Sequence, residues 1–477
     1  MILNLAFEQK TEAPIRPSAA FSRVVLICGK RGSGKSYTLG VIAEELARLD
    51  RFLVILVDPM GVFWSMGLPV TEQGSKGAEE RRSRRAGQQG SAPAPLHPRT
   101  PAQFAVNILV PGDPAERYSP RALARMQELG VLFSRITLNP AALSAQAWCD
   151  LFDLSMSEPL GICLYRAVRA CQKKRGGQGA REQESGNSKS AIRNPQFSIR
   201  DIMAEVESDG KAADRTREAL INRLDMAEAW GVFAQACPEV SAEPRAGGSG
   251  EAASAEAPGR RDAAPSTGPS SRSGRGSGQR LESGLPCGIG TIPQGLKEDH
   301  INVLDLSIID PGLHGLRNLI LALLCRDLFA RRIRARREEE LGLIPLERRI
   351  WLLIDEAHQF VPTGRSSIAK DILIRWVKEG RQPGLSFVAV SQQPGAIDTD
   401  LLSQCDLLII HKITAQEDLA AVSKLGQSYI RGDLKVYIKR LREPGEVIIV
   451  DDHEERLWMG RVRERETRHG GSELPLE

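Results

Sequence analysis

The sequence predicts an α/β fold: a mostly parallel, twisted sheet with helices packed on it. Three observations predict it. Short apolar runs recur at Val24–Cys28, Leu53–Val57, Asn302–Leu306, Ile350–Ile354, Leu385–Val390 and Leu407–Ile410, without the in-out alternation of a half-solvated strand. Between several of them, apolar residues return every three or four positions, as at Leu39, Ile42, Ala43 and Leu46, the period of a helix lying on a sheet. The run Val24–Cys28 leads into Gly29, and Ile350–Ile354 ends in Asp355, at the strand end where open α/β sheets bind ligands. A further run, Gly445–Val450, predicts an edge strand.

The first strand leads directly into Gly29-Lys30-Arg31-Gly32-Ser33-Gly34-Lys35-Ser36, a complete G-x-x-x-x-G-K-[ST] phosphate-binding loop with a helix after it. Each residue type has a task. The glycines let backbone N–H groups curl round a triphosphate, Lys35 neutralises its outer phosphates, and the Ser36 hydroxyl reaches Mg²⁺. Gly29, Lys30, Arg31, Gly32, Ser33, Gly34, Lys35 and Ser36, with Tyr37 directly after, are the candidate nucleotide contacts.

A carboxylate must hold the Mg²⁺ shell, and a second usually orients the attacking water. The strand Ile350–Ile354 ends in Asp355-Glu356. Asp355 is therefore the candidate metal residue beside Ser36, and Glu356 the candidate that polarises water. The spelling Asp355-Glu356-Ala357-His358 invites a reading as a DEAH-box helicase. Lys35 and Asp355 stand 320 positions apart, however, too far for a compact domain of that group, and its later motifs are not found.

The residues after this strand narrow the family. Trp376-Val377-Lys378-Glu379-Gly380-Arg381 closes an amphipathic stretch, and the strand Leu385–Val390 delivers Ser391-Gln392-Gln393-Pro394. Leu402-Ser403-Gln404-Cys405-Asp406, the strand Leu407–Ile410 and Gln416-Glu417-Asp418 come next. Taken with Asp355-Glu356-Ala357-His358-Gln359-Phe360-Val361-Pro362, this order resembles the HerA-like branch of the HerA/FtsK ATPases, over residues 22–58 and 301–463. The resemblance implies a RecA-like P-loop NTPase core, ATP and Mg²⁺ as cofactors, a homo-oligomeric ring, typically a hexamer, and action on double-stranded DNA. It makes Gln392 a polar sensor of the γ-phosphate and Arg381 a finger reaching a neighbouring subunit's nucleotide. A nuclease or effector partner is implied too. Two departures stand out. Only about twenty residues precede Val24, too few for the family's N-terminal β-barrel, which weighs against pairing with the nuclease NurA. After Asp58-Pro59-Met60-Gly61 the chain has Val62-Phe63, where family members commonly place a glutamate.

Composition sets the outer limits. Residues 71–103, 173–194 and 239–286 are rich in Gly, Ser, Ala, Pro and Arg and poor in large apolar side chains, so they predict disordered linkers. The organisation expected is a first part of the core over 1–70, a linker over 71–103, a helical insertion over 104–238, a linker over 239–286, the second part of the core over 287–463 and a tail over 464–477. Leu160, Leu164, Val168 and Cys171 form one helical stripe in the insertion, and Leu220, Leu224 and Ala227 another. The net charge of +4 is too mild to point to nucleic acid by itself. Arg326, Arg331, Arg332, Arg334, Arg336 and Arg337 crowd one helix end, but Glu338-Glu339-Glu340 follow, which predicts a solvated helix end. Eight cysteines without a C-x-x-C pair fit a reducing compartment, and no segment approaches ~20 apolar residues, so a cytoplasmic protein without a membrane span is expected.

Together these features predict a Mg²⁺-dependent ATPase whose hydrolysis moves a polymer, duplex DNA by resemblance. Two rivals share the loop: a regulatory or defence-associated P-loop ATPase that moves nothing, and a coupling ATPase of conjugation or secretion.

Overall fold

A computed structural model of the chain describes residues 1–68, 104–181, 197–233, 295–310, 314–425 and 434–470. In chain order its strands are β1 (Ala6–Glu8), β2 (Pro14–Ile15), β3 (Val24–Cys28), β4 (Phe52–Asp58), β5 (Val106–Pro111), β6 (Leu132–Ile136), β7 (Ile301–Asp305), β8 (Arg349–Ile354), β9 (Leu385–Ser391), β10 (Leu407–Ile410), β11 (Glu446–Asp451) and β12 (Arg456–Val462). They form one sheet in the order β2-β1-β12-β11-β10-β3-β9-β8-β4-β7-β5-β6. From β10 to β6 every neighbouring pair is parallel. The other four strands attach antiparallel, in a ribbon beginning at β11.

Parallel pairing needs crossovers, and the crossovers bring helices to both faces. Alternate side chains of each strand therefore enter different cores. From β3, Leu26 and Cys28 pack under the helices Pro159–Arg181, Asp214–Ala229, His314–Glu340 and Ile368–Glu379, while Val25 and Ile27 pack under the helix Lys35–Arg48. β8 divides likewise, Ile350, Leu352 and Ile354 against Trp351 and Leu353. Fully buried strands explain why the apolar runs lack alternation.

The expected mostly parallel α/β core is present, with four differences in detail. The region 104–238 is not wholly helical, since it opens with β5 and β6, which extend the core sheet. β5 is buried along its whole length, and its run Val106-Asn107-Ile108-Leu109-Val110 has no period to betray it. Leu164, Val168 and Cys171, like Leu220, Leu224 and Ala227, are buried in a helical layer beyond that point. Gly445–Val450 is not an edge: Glu446–Asp451 lies between β10 and β12, because a turn at residues 452–455 returns the chain as β12. Of the stretch 173–194, residues 173–181 continue the helix Pro159–Arg181, and 182–194 lie outside the described residues, as do 71–103 and 239–286.

The fourth difference is the tail. Residues 463–470 lie against the helix Lys35–Arg48. Arg463 meets Glu44 and Glu45 at 2.8 Å each, and Glu44 also accepts the Thr467 N–H and hydroxyl at 2.9 and 2.7 Å. Gly40 leaves room for this segment, since a Cβ there would sit 2.4 Å from Arg465 Cζ. Charged side chains that look like a solvated terminus in the sequence are thus consumed by two glutamates of the helix.

At the opposite sheet edge from the strand C-termini, Arg23 enters β3 with its guanidinium buried, 1% exposed, and donates to both carboxylate oxygens of Asp451 at 2.8 Å. This pair spans β10 and ties the parallel core to the antiparallel ribbon. Removing Asp451 strips both direct hydrogen bonds from a buried guanidinium and leaves it only Asp406 at 3.7 Å, so Asp451→Ala should lower stability by ~3–5 kcal/mol in urea denaturation, and Arg23→Met/Asp451→Leu should recover much of it. A loss below ~1 kcal/mol for Asp451→Ala would mean that the ribbon does not depend on the pair.

Candidate functional site

Four neighbouring strands, β10, β3, β9 and β8, end at one edge of the sheet and supply the site. The phosphate-binding loop follows β3. Gly29, Gly32 and Gly34 hold φ of 155°, 74° and 107°; the last two lie in the left-handed region that glycine adopts without strain. Gly29 meets a second demand, because a Cβ there would come within 2.6 Å of His411 Cβ and 2.8 Å of Ser33 Oγ. Neighbouring backbone holds the loop from the β10–β11 side: Lys30 N–H donates to the Lys412 carbonyl at 2.8 Å, and Gly445 N–H to the Ser33 carbonyl at 3.0 Å. Lys35 is 5% exposed, and its ammonium donates to the Lys30 carbonyl at 2.9 Å. Burial lowers its pKa from the usual lysine value, opposed by Glu356 and Asp355.

The acids arrive from β8. Ser36 Oγ donates to Asp355 Oδ2 at 3.0 Å, and Asp355 Oδ1 accepts the Glu356 N–H at 3.0 Å. Burial, with Glu356 beside it, pushes the Asp355 carboxyl up to about 6. Glu356 itself has φ 48°, in the left-handed region where a non-glycine residue stores about 1 kcal/mol or more of strain. Its carboxylate is buried. Gln392, one residue past β9, donates its amide N–H to Oε1, whereas Oε2 has no hydrogen-bond partner and lies 3.4 Å from His358 Nδ1. His358 Nδ1 is also 3.2 Å from Ser391 Oγ, and burial lowers the ring's pKa, opposed by Glu356.

β10 contributes His411, fully buried beneath the loop, with Nε2 2.9 Å from Thr38 Oγ1. Burial and the nearby Lys35 drive its pKa down to about 3, so it is neutral. At the end of β4, Asp58 accepts the Met60, Gly61 and Phe63 N–H groups at 3.2, 2.7 and 2.7 Å, shaping the turn in which apolar Val62 and Phe63 stand. Burial nevertheless pushes the Asp58 carboxyl up to about 7, with Asp305 adding to the rise.

The structure thus brings together the loop Gly29–Ser36, Asp355, Glu356 and Gln392. It does not bring Arg381 to them. Arg381 is exposed in the turn before β9, at the opposite sheet edge, where its carbonyl accepts the Ser22 hydroxyl at 3.3 Å. Tyr37 faces the C-terminal segment, its hydroxyl accepting the Arg465 N–H at 2.6 Å. His411, Thr38, His358 and Ser391 escape a reading of the sequence. For His411 a signal existed, a lone polar residue closing the strand Leu407–Ile410, but its neighbour on β3 becomes known only with the parallel register Ile410↔Cys28.

Residues 4–235 match the family model of the HerA helicase central domain. Over that span, just under half of its length, the chain is HerA-like. The matched span holds the phosphate-binding loop and the helical layer. A segment of 127 residues, 27% of this chain, is 33% identical to a protein of Methanocaldococcus jannaschii named a probable helicase, and 101 residues, 21% of the chain, are 36% identical to the DNA double-strand break repair helicase HerA of Pyrococcus furiosus. The matches cover 24% and 18% of those proteins' own lengths. In fold, the chain is similar to VirB4 of Thermoanaerobacter pseudethanolicus, with 96% of each chain covered, a TM-score of 0.50 and 13% identity. HerA-type sequence and a VirB4-like α/β fold therefore coincide in one chain.

A neutral buried histidine makes a signed prediction. His411 ionises far more readily unfolded than folded, so its contribution is complete above pH 6.5 and is lost as pH falls from 6.5 toward 3, by at most about 1.4 kcal/mol per pH unit. Denaturation at a series of pH values should show the gap between the wild type and His411→Gln shrinking over that interval. A gap independent of pH would show that His411 is not held neutral.

Proposed function

We propose that the chain is a Mg²⁺-dependent ATPase that works as a HerA-like ring, a hexamer in its active form, and moves along or remodels duplex DNA. The observation that carries the hydrolytic part is the convergence at one sheet edge of the loop Gly29–Ser36, the Ser36–Asp355 pair and a buried Glu356 with one carboxylate oxygen free of hydrogen bonds. The DNA part draws on the names of the helicase relatives.

The residues fit a magnesium ion. Ser36 Oγ and the Asp355 carboxylate are hard oxygen donors already in contact, and Mg²⁺ is typically held by one or two such groups with substrate phosphates and water completing the shell. Bound there, the ion would neutralise charge on the phosphates and orient them. Lys35 would leave the neutral Lys30 carbonyl for the outer phosphates, a stronger, charge-assisted contact. Loop N–H groups and the N-terminal end of the helix Lys35–Arg48 complete the cradle. Glu356 would turn its free oxygen to the attacking water and take up its proton, with Gln392 fixing the other oxygen. Arg381 lies too far from its own subunit's loop to act there, and its exposed position suits a finger offered to a neighbour's γ-phosphate.

Purified protein should hydrolyse ATP only with Mg²⁺, and duplex DNA should raise the rate. Lys35→Ala should lose nucleotide binding; Glu356→Gln should keep binding and lose turnover by about 10²-fold or more. Equal turnover by wild type and Glu356→Gln would remove Glu356 from the mechanism.

The finger is tested by mixing. Lys35→Ala and Arg381→Ala subunits, each inactive alone, should regain part of the turnover together, because some interfaces then pair an intact loop with an intact arginine. No rescue in rings shown by light scattering to be mixed would leave Arg381 a helix cap.

A further inference from the structure

The Glu356 carboxylate is held at one oxygen. Gln392 donates to Oε1, and Oε2, although buried, has no hydrogen-bond partner. Lys35 and His358 are basic side chains that face this carboxylate. In the reaction proposed above Lys35 turns to the outer phosphates, and His358 stays.

The backbone is bent to put that ring in place. The left-handed Glu356 opens a single 3₁₀ turn, Ala357–Gln359, in which the Gln359 N–H donates to the Glu356 carbonyl at 2.9 Å. The turn brings His358 Nδ1 to 3.4 Å from Glu356 Oε2, two residues back, and to 3.2 Å from Ser391 Oγ at the end of β9. Both sides of the contact are pinned. The Asp398 N–H donates to the Val361 carbonyl at 3.0 Å and the Thr363 N–H to the Ala396 carbonyl at 2.9 Å, which ties the segment after β8 to the segment after β9. The Gln393 N–H donates to Ser391 Oγ at 2.9 Å and fixes the hydroxyl.

A histidine that served packing alone would be placed differently. The His358 side chain is 24% exposed, so it adds little to the core, and its hydrogen bond to Ser391 is at the long end of the normal range. Its approach to Oε2 stops just short of a hydrogen bond, as catalytic contacts often do before substrate tightens them. A carboxylate beside Nδ1 favours the neutral tautomer that carries its proton there. Each carboxylate oxygen has two lone pairs, so Oε2 can accept Nδ1–H and still receive a water.

We propose that His358 is a positioning residue for the hydrolysis read above, on which this inference rests: held by Ser391, it donates from Nδ1 to Glu356 Oε2 and, opposite Gln392, fixes the carboxylate for the attacking water. The water's proton goes to Glu356, and His358 takes none. β9 thereby holds the base at the end of β8 by both oxygens, directly through Gln392 and through the ring from Ser391.

Steady-state ATP hydrolysis with Mg²⁺, beside calorimetric ADP binding, tests the assignment on the full chain. His358→Ala should lower kcat by at least about tenfold and leave ADP affinity and circular dichroism unchanged, since the phosphate cradle is untouched. His358→Asn sets an amide where Nδ1 stood and His358→Gln sets one where Nε2 stood, so Asn should recover part of the turnover and Gln should not. Ser391→Ala should lower kcat less, and should add little to His358→Ala, because both act through one contact. Wild-type turnover by His358→Ala would overturn the proposal. Recovery by Gln equal to or above that by Asn would do so too, as would fully additive losses in the double variant. ADP affinity falling in step with turnover would mark a structural role and overturn it equally. Should His358→Ala not fold, the comparison of Asn with Gln decides alone. A wild type that hydrolyses no ATP would remove the ATPase reading and this inference with it, whereas an active wild type matched by His358→Ala removes the inference only.

Discussion

The parallel register of β10, β3, β9 and β8 is the constraint on which the site depends. Pairing Cys28 with Ser391 on one side and Ile410 on the other sets the phosphate-binding loop, the Gln392 turn and His411 at one level, and Ile354↔Ala389 brings Asp355 and Glu356 up beside them. A slip of one residue would exchange the two faces of a strand and withdraw its side chain from the edge. Burial on both faces resists that slip, because Leu26 and Ile27 enter different cores and each differently branched side chain would have to repack in the other's place. The apolar packing and the chemistry are thus the same arrangement seen from two ends of the strands.

At that edge the fold works against its own stability. Lys35, Asp355, Glu356 and His411 are all nearly or fully buried, and burial moves Lys35 and His411 down and Asp355 up. Glu356 adds a left-handed backbone. Such groups persist only where their surroundings over-determine them. Here the surroundings are backbone contacts from outside the loop, Lys412 to Lys30 and Gly445 to Ser33, and the Arg23–Asp451 pair that fixes the ribbon carrying β11. A polyphosphate with its cation would meet every unsatisfied charge at once, which is why desolvation in advance of binding favours the ligand.

How much can be read in the sequence depends on how local each signal is. The phosphate-binding loop declares itself within eight residues, because glycine, lysine and serine are dictated by one turn of backbone and one ligand. Asp355-Glu356 is legible because a buried strand precedes it. β5 and β6 are not: β6 alternates only weakly, and β5 becomes recognisable as core once Asn107 is seen to pair with Asn302 of β7 through a buried amide contact at 2.9 Å. The C-terminal segment shows the same limit. Arg463, Arg465 and Glu466 spell a solvated tail, and only the glutamates at 44 and 45, some four hundred residues earlier, turn it into a strap on the nucleotide-binding helix.

Charge is where linear and spatial order part most. In sequence, six arginines are followed by three glutamates; in space, the helix sorts them. Positions 332, 336 and 339 lie on one face at three- and four-residue intervals, so a single carboxylate, Glu339, serves two guanidinium groups. Positions 326, 334 and 337 fall on another face, out of its reach. The excess of arginine over these fifteen residues therefore collects on one face, which borders a second helix that contributes Ile372 and an Arg375 paired with Glu379 at 2.8 Å. The helix period thus decides which face keeps the excess of arginine, and it leaves it at the sheet edge remote from the nucleotide site.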